Sequence, residues 1–449
     1  MAEPMTKHGK VLLVVASVAA LIVVSIVTVI AYHVGSFVVG KKHAARGDAN
    51  LQHERYEAAI ADYSRALRCS IGSSARAYAL ANRGVCEARR QNGNADAAIG
   101  DLTAALRINS RLGYAYLERG SVCARQGNYH DASADYSRAI ALDPNSAAAL
   151  YYRGLIATWQ KQWHAAIADF SEAIRSEPNW PDVYVQRALA YDRINNLQSA
   201  RSSFDAALLN APNHVAAYLE RGKFFARGRD FAKAIADFSR ALEIAPDAVH
   251  VRHPRAHAYW ASEQWKEAIA DFTEILRVEP RDETALEMRG RTYSWIGQPE
   301  QALADLSELI RITQSGHAYE LRGRALVRAR RYQEAIDDYR LASQQGSKRG
   351  RLTKGLPWLL ATCPEASVRS GSQALEEVTQ GCLQHESPGW NCLDTVAAAH
   401  AELGVFDEAV KYQEQALAAQ NMDPEQRKEL EDRLALYRAG TPYRELPKP

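Results

Sequence analysis

The feature that most constrains this chain is a period of 34 residues. An alanine in each block resembling YEAAIADYSRAL falls at Ala59, Ala98, Ala132, Ala166, Ala200, Ala234, Ala268, Ala302 and Ala335. From Ala98 onward every step is 34 residues except the last, which is 33. Three residues before the alanine an aromatic recurs, at Tyr56, Tyr129, Trp163, Phe231, Trp265 and Tyr332. Seven residues after it come Ala66, Ala105, Ala139, Ala173, Ala207 and Ala241. Prolines at 144, 178, 212, 246 and 280 keep the same spacing. About 12 residues ahead of the alanine stand Gly47, Gly84, Gly120, Gly154, Gly222, Gly290 and Gly323, with Ala188 and Ala256 in two units. A period of this length is one supersecondary unit copied along the chain, each copy unable to bury its apolar face alone. The small residues mark where two helices approach closely. The proline, lacking an N–H and disfavouring helical geometry in the residue before it, ends the second helix.

Small residues at the eighth, twentieth and twenty-seventh places with proline at the thirty-second make the pattern similar to the tetratricopeptide repeat family. The resemblance covers nine units from about His43 to Gly346. It implies an all-α solenoid in which antiparallel helix pairs stack into a right-handed superhelix. It also implies a concave surface lined by the first helix of each unit, at its second, fifth, ninth, twelfth and thirteenth places. Mapped onto this sequence, that partner-binding groove offers Tyr151, Leu155 and Trp159, then Val185 and Leu189, then Lys223. It continues through His253, His257 and Trp260 to Glu287, Arg291, Glu320 and Arg324. A protein or peptide with apolar anchors is the expected occupant. The Lys/Asn clamp that chaperone-binding relatives use for a C-terminal carboxylate is not recognisable. Two extra residues between Gly84 and Ala98 are expected to lengthen the turn at Asn92-Gly93. Pro254 falls inside a first helix, and Pro299 at the start of a second one, where proline is tolerated.

Ahead of the repeats, Val11 to Ala31 is free of charge and proline. A helix needs about 20 apolar residues to cross a hydrocarbon core of about 30 Å, so the stretch is long enough to span. It is too long for the apolar region of a cleavable signal, and no small-x-small site follows it. The domain reading is therefore a tail (1–10), a transmembrane anchor (11–39), nine repeats (43–346), a basic linker (347–357) and a C-terminal module (358–449). Within that module 393–417 restores the repeat, and 423–438 reads as an amphipathic capping helix with Leu430, Leu434 and Tyr437 on one stripe. Lys7, Lys10 and the terminal amine on one side balance Lys41, Lys42 and Arg46 on the other, which gives no charge bias. The usual outcome for a short N-terminal anchor places the body outside the cytoplasm.

Chemistry-bearing patterns have structural readings. An arginine precedes the small residue in every unit, from Arg46 to Arg322, and an aspartate follows the later alanine by three, except where Ser203 stands. The common period predicts Arg–Asp pairs between the two helices of a unit. His253 and His257 share a helix face four residues apart, but no third ligand is placed, so no metal is expected. The six cysteines contain no C-x-x-C pair. Cys86 and Cys123 read as packing residues, and disulfides are conceivable among Cys363, Cys382 and Cys392 if the body is exported. The basic stretch 322–354 reads as a solvated face. A net charge of +2 argues against a nucleic-acid partner. Gly-rich phosphate loops, nucleophile elbows and zinc-protease motifs are missing, so neither cofactor nor small-molecule substrate is expected. The reading is a membrane-tethered, non-catalytic scaffold. Its alternatives are an assembly or quality-control factor for membrane or envelope complexes, and an enzyme with an unrecognised site.

Overall fold

The computed structural model describes residues 7–345, 355–381, 389–419 and 422–445. Regular structure among them is entirely helical, in 23 helices that form two compact units dividing after Glu220. The first unit stacks α1 (Lys7–Gln52) on α2 (Tyr56–Leu67), then α3 (Ser73–Arg89) on α4 (Ala95–Ile108). Next come α5 (Gly113–Arg125) with α6 (Tyr129–Leu142), and α7 (Ala147–Trp159) with α8 (Trp163–Ser176). It continues with α9 (Pro181–Arg193) and α10 (Leu197–Asn210), and α11 (Val215–Arg227) carries the chain into the second unit. There α12 (Phe231–Ile244), α13 (Val249–Ala261), α14 (Trp265–Val278) and α15 (Glu283–Trp295) follow. The array proceeds through α16 (Pro299–Thr313), α17 (Gly316–Arg328) and α18 (Tyr332–Gln344). The C-terminal module comprises α19 (Gly355–Thr362), α20 (Gly371–Gly381), α21 (Trp390–Glu402), α22 (Phe406–Leu417) and α23 (Pro424–Arg438). Most of the segment read as a basic linker lies outside the described residues, as does Cys382.

The periodic residues do what their chemistry suggests. All nine alanines from Ala59 to Ala335 are fully buried. Four residues after each sits a large, buried side chain, among them Tyr63, Tyr136, Phe170, Phe204, Phe238 and Phe272. Where the partner helix carries the recurring glycine, that side chain meets it. A Cβ on Gly154 would lie 2.6 Å from the Phe170 ring, so that position requires glycine. Pro254 does not delay α13, which runs through it with one backbone donor fewer. Pro299 opens α16. The inserted residues of the second pair enlarge its turn, where Asn92 adopts φ 58°.

The Arg–Asp pairs form as expected and carry a third contact. Arg83, Arg119, Arg153, Arg221, Arg255, Arg289 and Arg322 each hold both oxygens of an aspartate on the following helix; Arg153 reaches Asp169 at 2.9 and 2.6 Å. In six of them the remaining amino group donates backwards to a hydroxyl of the preceding pair, namely Ser64, Thr103, Ser137, Ser239, Thr273 or Ser307. One guanidinium thus ties its own pair together and ties it to its neighbour. Arg46 is looser, 3.7 Å from Asp62, which takes Arg65 and Asn50 instead. Arg187 has only the Ser203 hydroxyl, at 3.2 Å.

Two ends depart from plain repetition. At the N-terminus α1 is continuous, so the apolar segment and the first helix of the first pair are one element. Leu21, Ile22, Val23, Val24, Ile26, Val27, Val29 and Ile30 are all more than half exposed, and at 100° per residue they cover the whole helix circumference. Burial begins at Gly40, where an added Cβ would collide with Ile71 and Cys69. At the C-terminus Leu430, Leu434 and Tyr437 are buried as the stripe predicts. Arg433 is buried beside them and meets Asp394 at 3.0 Å, while the Gln413 amide donates to the same carboxylate at 2.9 Å. The chain then folds back, the Glu445 N–H donating to the Thr362 carbonyl at 2.9 Å.

Candidate functional site: the surface of the first helices

The two units present different faces. In the first, Trp159 ends α7 and is 64% exposed, its ring 4.2 Å from Tyr129. Tyr151 and Leu155 are half-buried, and the Tyr151 ring packs 4.6 Å from Trp180. Leu189 is likewise half-buried. Val185, expected on this surface, is only 4% exposed and is corrected to a packing residue.

In the second unit the face is polar and aromatic and runs across α13, α15 and α17. His253 bonds Asp282 at 3.0 Å, and the His257 ring stands edge-on to Phe272 at 5.8 Å. The Arg291 guanidinium lies over Trp260 at 5.5 Å and reaches Glu287 at 3.2 Å. Glu287 in turn meets His317 at 3.4 Å, and Arg324 meets Glu320 at 2.5 Å. Residues missing from the sequence reading complete the surface. Trp295 is 57% exposed and packs near Trp265, with Arg328 4.7 Å over its ring. Lys223, which the sequence reading did place on this surface, stands half-buried on α11.

Electrostatics follow from these contacts. Burial pushes the His257 imidazole below its usual range, helped by His253 and Arg291, so it is neutral near pH 7. The hydrogen bond to Glu287 raises His317, and the same bond lowers Glu287. Burial lowers Arg328, with Arg324 adding repulsion. Among the described residues of the basic stretch, Arg322, Arg324, Arg331 and Arg340 are paired, the last two with Glu334 and Asp337. A cavity of about 280 Å³ opens beside α17, lined by Arg324, Arg328, Tyr332, Trp358, Cys363 and Glu445 among others.

No group of three or more His, Cys, Asp or Glu side chains among the described residues is arranged to hold a metal ion. Burial pushes the Cys86 thiol up to about 12 and raises Cys123 and Cys363, which makes them poor nucleophiles.

The chain is similar in fold to solved repeat structures. A tetratricopeptide repeat protein from Parabacteroides merdae shares 21% identity, with 54% of this chain and 97% of that one covered and a TM-score of 0.40. YrrB, described as a TPR protein with an unusual peptide-binding site, shares 19% over 42% of this chain and 97% of its own, TM-score 0.36. Yeast Tom70 shares 14% over 89% and 96%, TM-score 0.38. No curated protein sequence matches. A tetratricopeptide repeat model matches residues 44–111, 185–249, 253–293 and 288–349, about half of the chain. Two further repeat models match 120–157 and 148–179. Those matches coincide with the stacked pairs in which every recurring alanine is buried. The chain belongs to the tetratricopeptide repeat family, an all-α protein-interaction fold.

Proposed function

We propose that this protein is a membrane-anchored scaffold that performs no catalysis and holds a protein segment on the surface of its first helices. The observation that carries the reading is the face across α13, α15 and α17. Three consecutive first helices there present Trp260, Glu287, Arg291, Glu320 and Arg324 side by side. Aromatic and arginine side chains at one surface supply apolar area together with directional hydrogen bonds. In the Glu287–Arg291 and Glu320–Arg324 pairs the carboxylates are 26% exposed and the guanidinium groups 37% and 61% exposed, so a ligand's own charges can reach both pairs. In the first unit Trp159 and Leu189 offer apolar anchors.

The anchor is α1. It is long and apolar enough to cross a bilayer, and its large apolar side chains from Leu21 to Ile30 stand exposed. Export of the body agrees with Cys392 being disulfide-bonded, because disulfides persist in oxidising compartments.

A photo-crosslinking residue at Glu320 or Trp159 of the membrane-embedded full chain tests the face, with Lys266 on α14 as the control position. A discrete crosslinked protein from the first two positions and not from Lys266 is expected. Equal capture from all three, or capture unaffected by Trp260→Ala and Arg291→Ala, would reject the assignment.

A further inference from the structure

We propose that the anchor-side ends of the first two helix pairs form a basic collar that binds anionic phospholipid headgroups of the leaflet from which α1 emerges. The inference rests on the anchor reading of α1 and adds a surface to it.

The geometry begins at the α2–α3 turn. His33 Nδ1 lies 3.4 Å from the Ser70 hydroxyl, the Ser70 N–H donates to Ser36 at 2.9 Å, and Gly40 abuts Cys69 and Ile71. The turn therefore lies level with residues 33–40 of α1, immediately beyond the apolar stretch. With the hydrocarbon span taken as the charge-free stretch that ends at Ala31, these positions stand roughly 3 to 14 Å beyond its end at 1.5 Å per residue. The headgroup layer is about 5 to 7 Å deep on each side. An arginine on this turn can reach its phosphates.

The charge on this end is uniformly positive. Lys41, Lys42, Arg68 and Arg76 are exposed, and Arg76 is held against the end of α2 by a bond to the Leu67 carbonyl at 3.3 Å. The helices alternate in direction, so the α4–α5 turn falls on the same end of the next pair. It carries exposed Arg107 and Arg111. No Asp or Glu occurs between residues 63 and 86 or between 102 and 117. None of the six cations has a carboxylate within ion-pair distance among the described residues.

The pattern is local rather than a property of the repeat. Equivalent turns farther along carry Asp143, Glu177, Asp247 and Glu279. Apart from the basic linker at 347–357, basic charge without acidic relief falls on the two turns nearest the anchor. Unpaired cations at headgroup height are what an anionic leaflet attracts. Such contacts would seat the array against the bilayer and limit its swing about α1.

The test uses the full chain in bilayer nanodiscs containing spin-labelled phosphatidylglycerol or spin-labelled phosphatidylcholine. The wild type is expected to select phosphatidylglycerol severalfold, and added salt should reduce the preference. Replacing Arg68, Arg76, Arg107 and Arg111 by Gln should bring selectivity near that of the Lys41 and Lys42 flank alone. Replacing Arg281, Lys266, Arg427 and Lys428 by Gln removes the same charge elsewhere and should change nothing. Circular dichroism confirms that each variant is folded. Alkaline carbonate extraction separates the two readings. Release of the wild type from membranes would overturn the anchor and the collar together. Retention with equal selectivity in wild type and the four-arginine variant would overturn the collar alone.

Discussion

Asp169 accepts two hydrogen bonds from Arg153 in a half-buried setting, so Asp169→Ala strands a guanidinium that still holds Ser137. Leaving such a group unsatisfied costs about 1–3 kcal/mol. The fifth unit is the natural counterpart, with buried Ser203 where the others have aspartate. Ser203→Asp places a carboxylate against Arg187 in a frame that accepts one in seven other pairs. It is expected to stabilise by about 1.5 kcal/mol, the lower end of the range for a hydrogen bond to a charged group. Urea unfolding of both variants reads opposite shifts of the midpoint; the same sign in both would remove the ladder from the account of stability. The Arg–Asp pairing was legible because both residues share the repeat's period. The hydroxyl that completes it was not, because Ser64 and Arg83 belong to different units, and a within-unit reading does not join them. The buried side chain four residues after each alanine, a ring in seven of the nine units, was equally readable from the motif, as the tyrosine of IADYSRAL.

For the helices, α13 and α17 carry histidines whose shifts have opposite sign, and that makes pH a probe of the face. Burial lowers His257, with His253 and Arg291 opposing its charge and Asp282 and Glu287 partly offsetting them. Below the ordinary imidazole value, about 6.5, the unfolded chain takes up this proton before the folded chain does. Stability is therefore lost as pH falls from that value through the lowered one. His317 is raised by Glu287, so its contribution is full below the ordinary value and is lost as pH rises through the raised one. Glu287, lowered by the same bond, contributes above the ordinary carboxylate range and loses that only at lower pH. Between pH 7.5 and 5.5, His257→Gln should lose less stability on acidification than the wild type, and His317→Gln should lose more. Denaturant midpoints at both pH values check this, and reversed signs would refute the assignment. The thirteenth place that selects Trp159 also selects Trp295 and Arg328, so the spacing already contained both. Val185 was misplaced because a place in the repeat fixes direction, whereas exposure also depends on side-chain length. The turn residues Glu54, Lys161, Arg229 and Glu263 adopt φ of 56 to 62°, a conformation that composition does not announce when glycine is absent.

For the whole molecule, the 34-residue period settles the fold, and the proposed anchor before it would set where the array is held. A length that would ordinarily suggest several globular domains instead serves an array in which each pair mostly packs on its neighbours. The continuity of α1 makes the anchor and the first pair one mechanical element, which a reading with separate segments at 11–39 and 43–346 does not reveal. The orientation of that element is open to a chemical count. Cys69, Cys86, Cys123 and Cys363 are free thiols, and Cys392 is disulfide-bonded. If the body is exported, denatured protein isolated with its thiols trapped should alkylate at Cys69, Cys86, Cys123 and Cys363, with Cys392 reacting only after reduction. Cys392→Ser should release one further reactive thiol. The same chain with its body retained in a reducing compartment would alkylate at all six from the start. Intact-mass measurement distinguishes these states, and protease added to intact cells should digest the exported body while leaving α1 embedded. Six reactive thiols together with a protected body would place the array on the cytoplasmic side, with the collar then facing the inner leaflet.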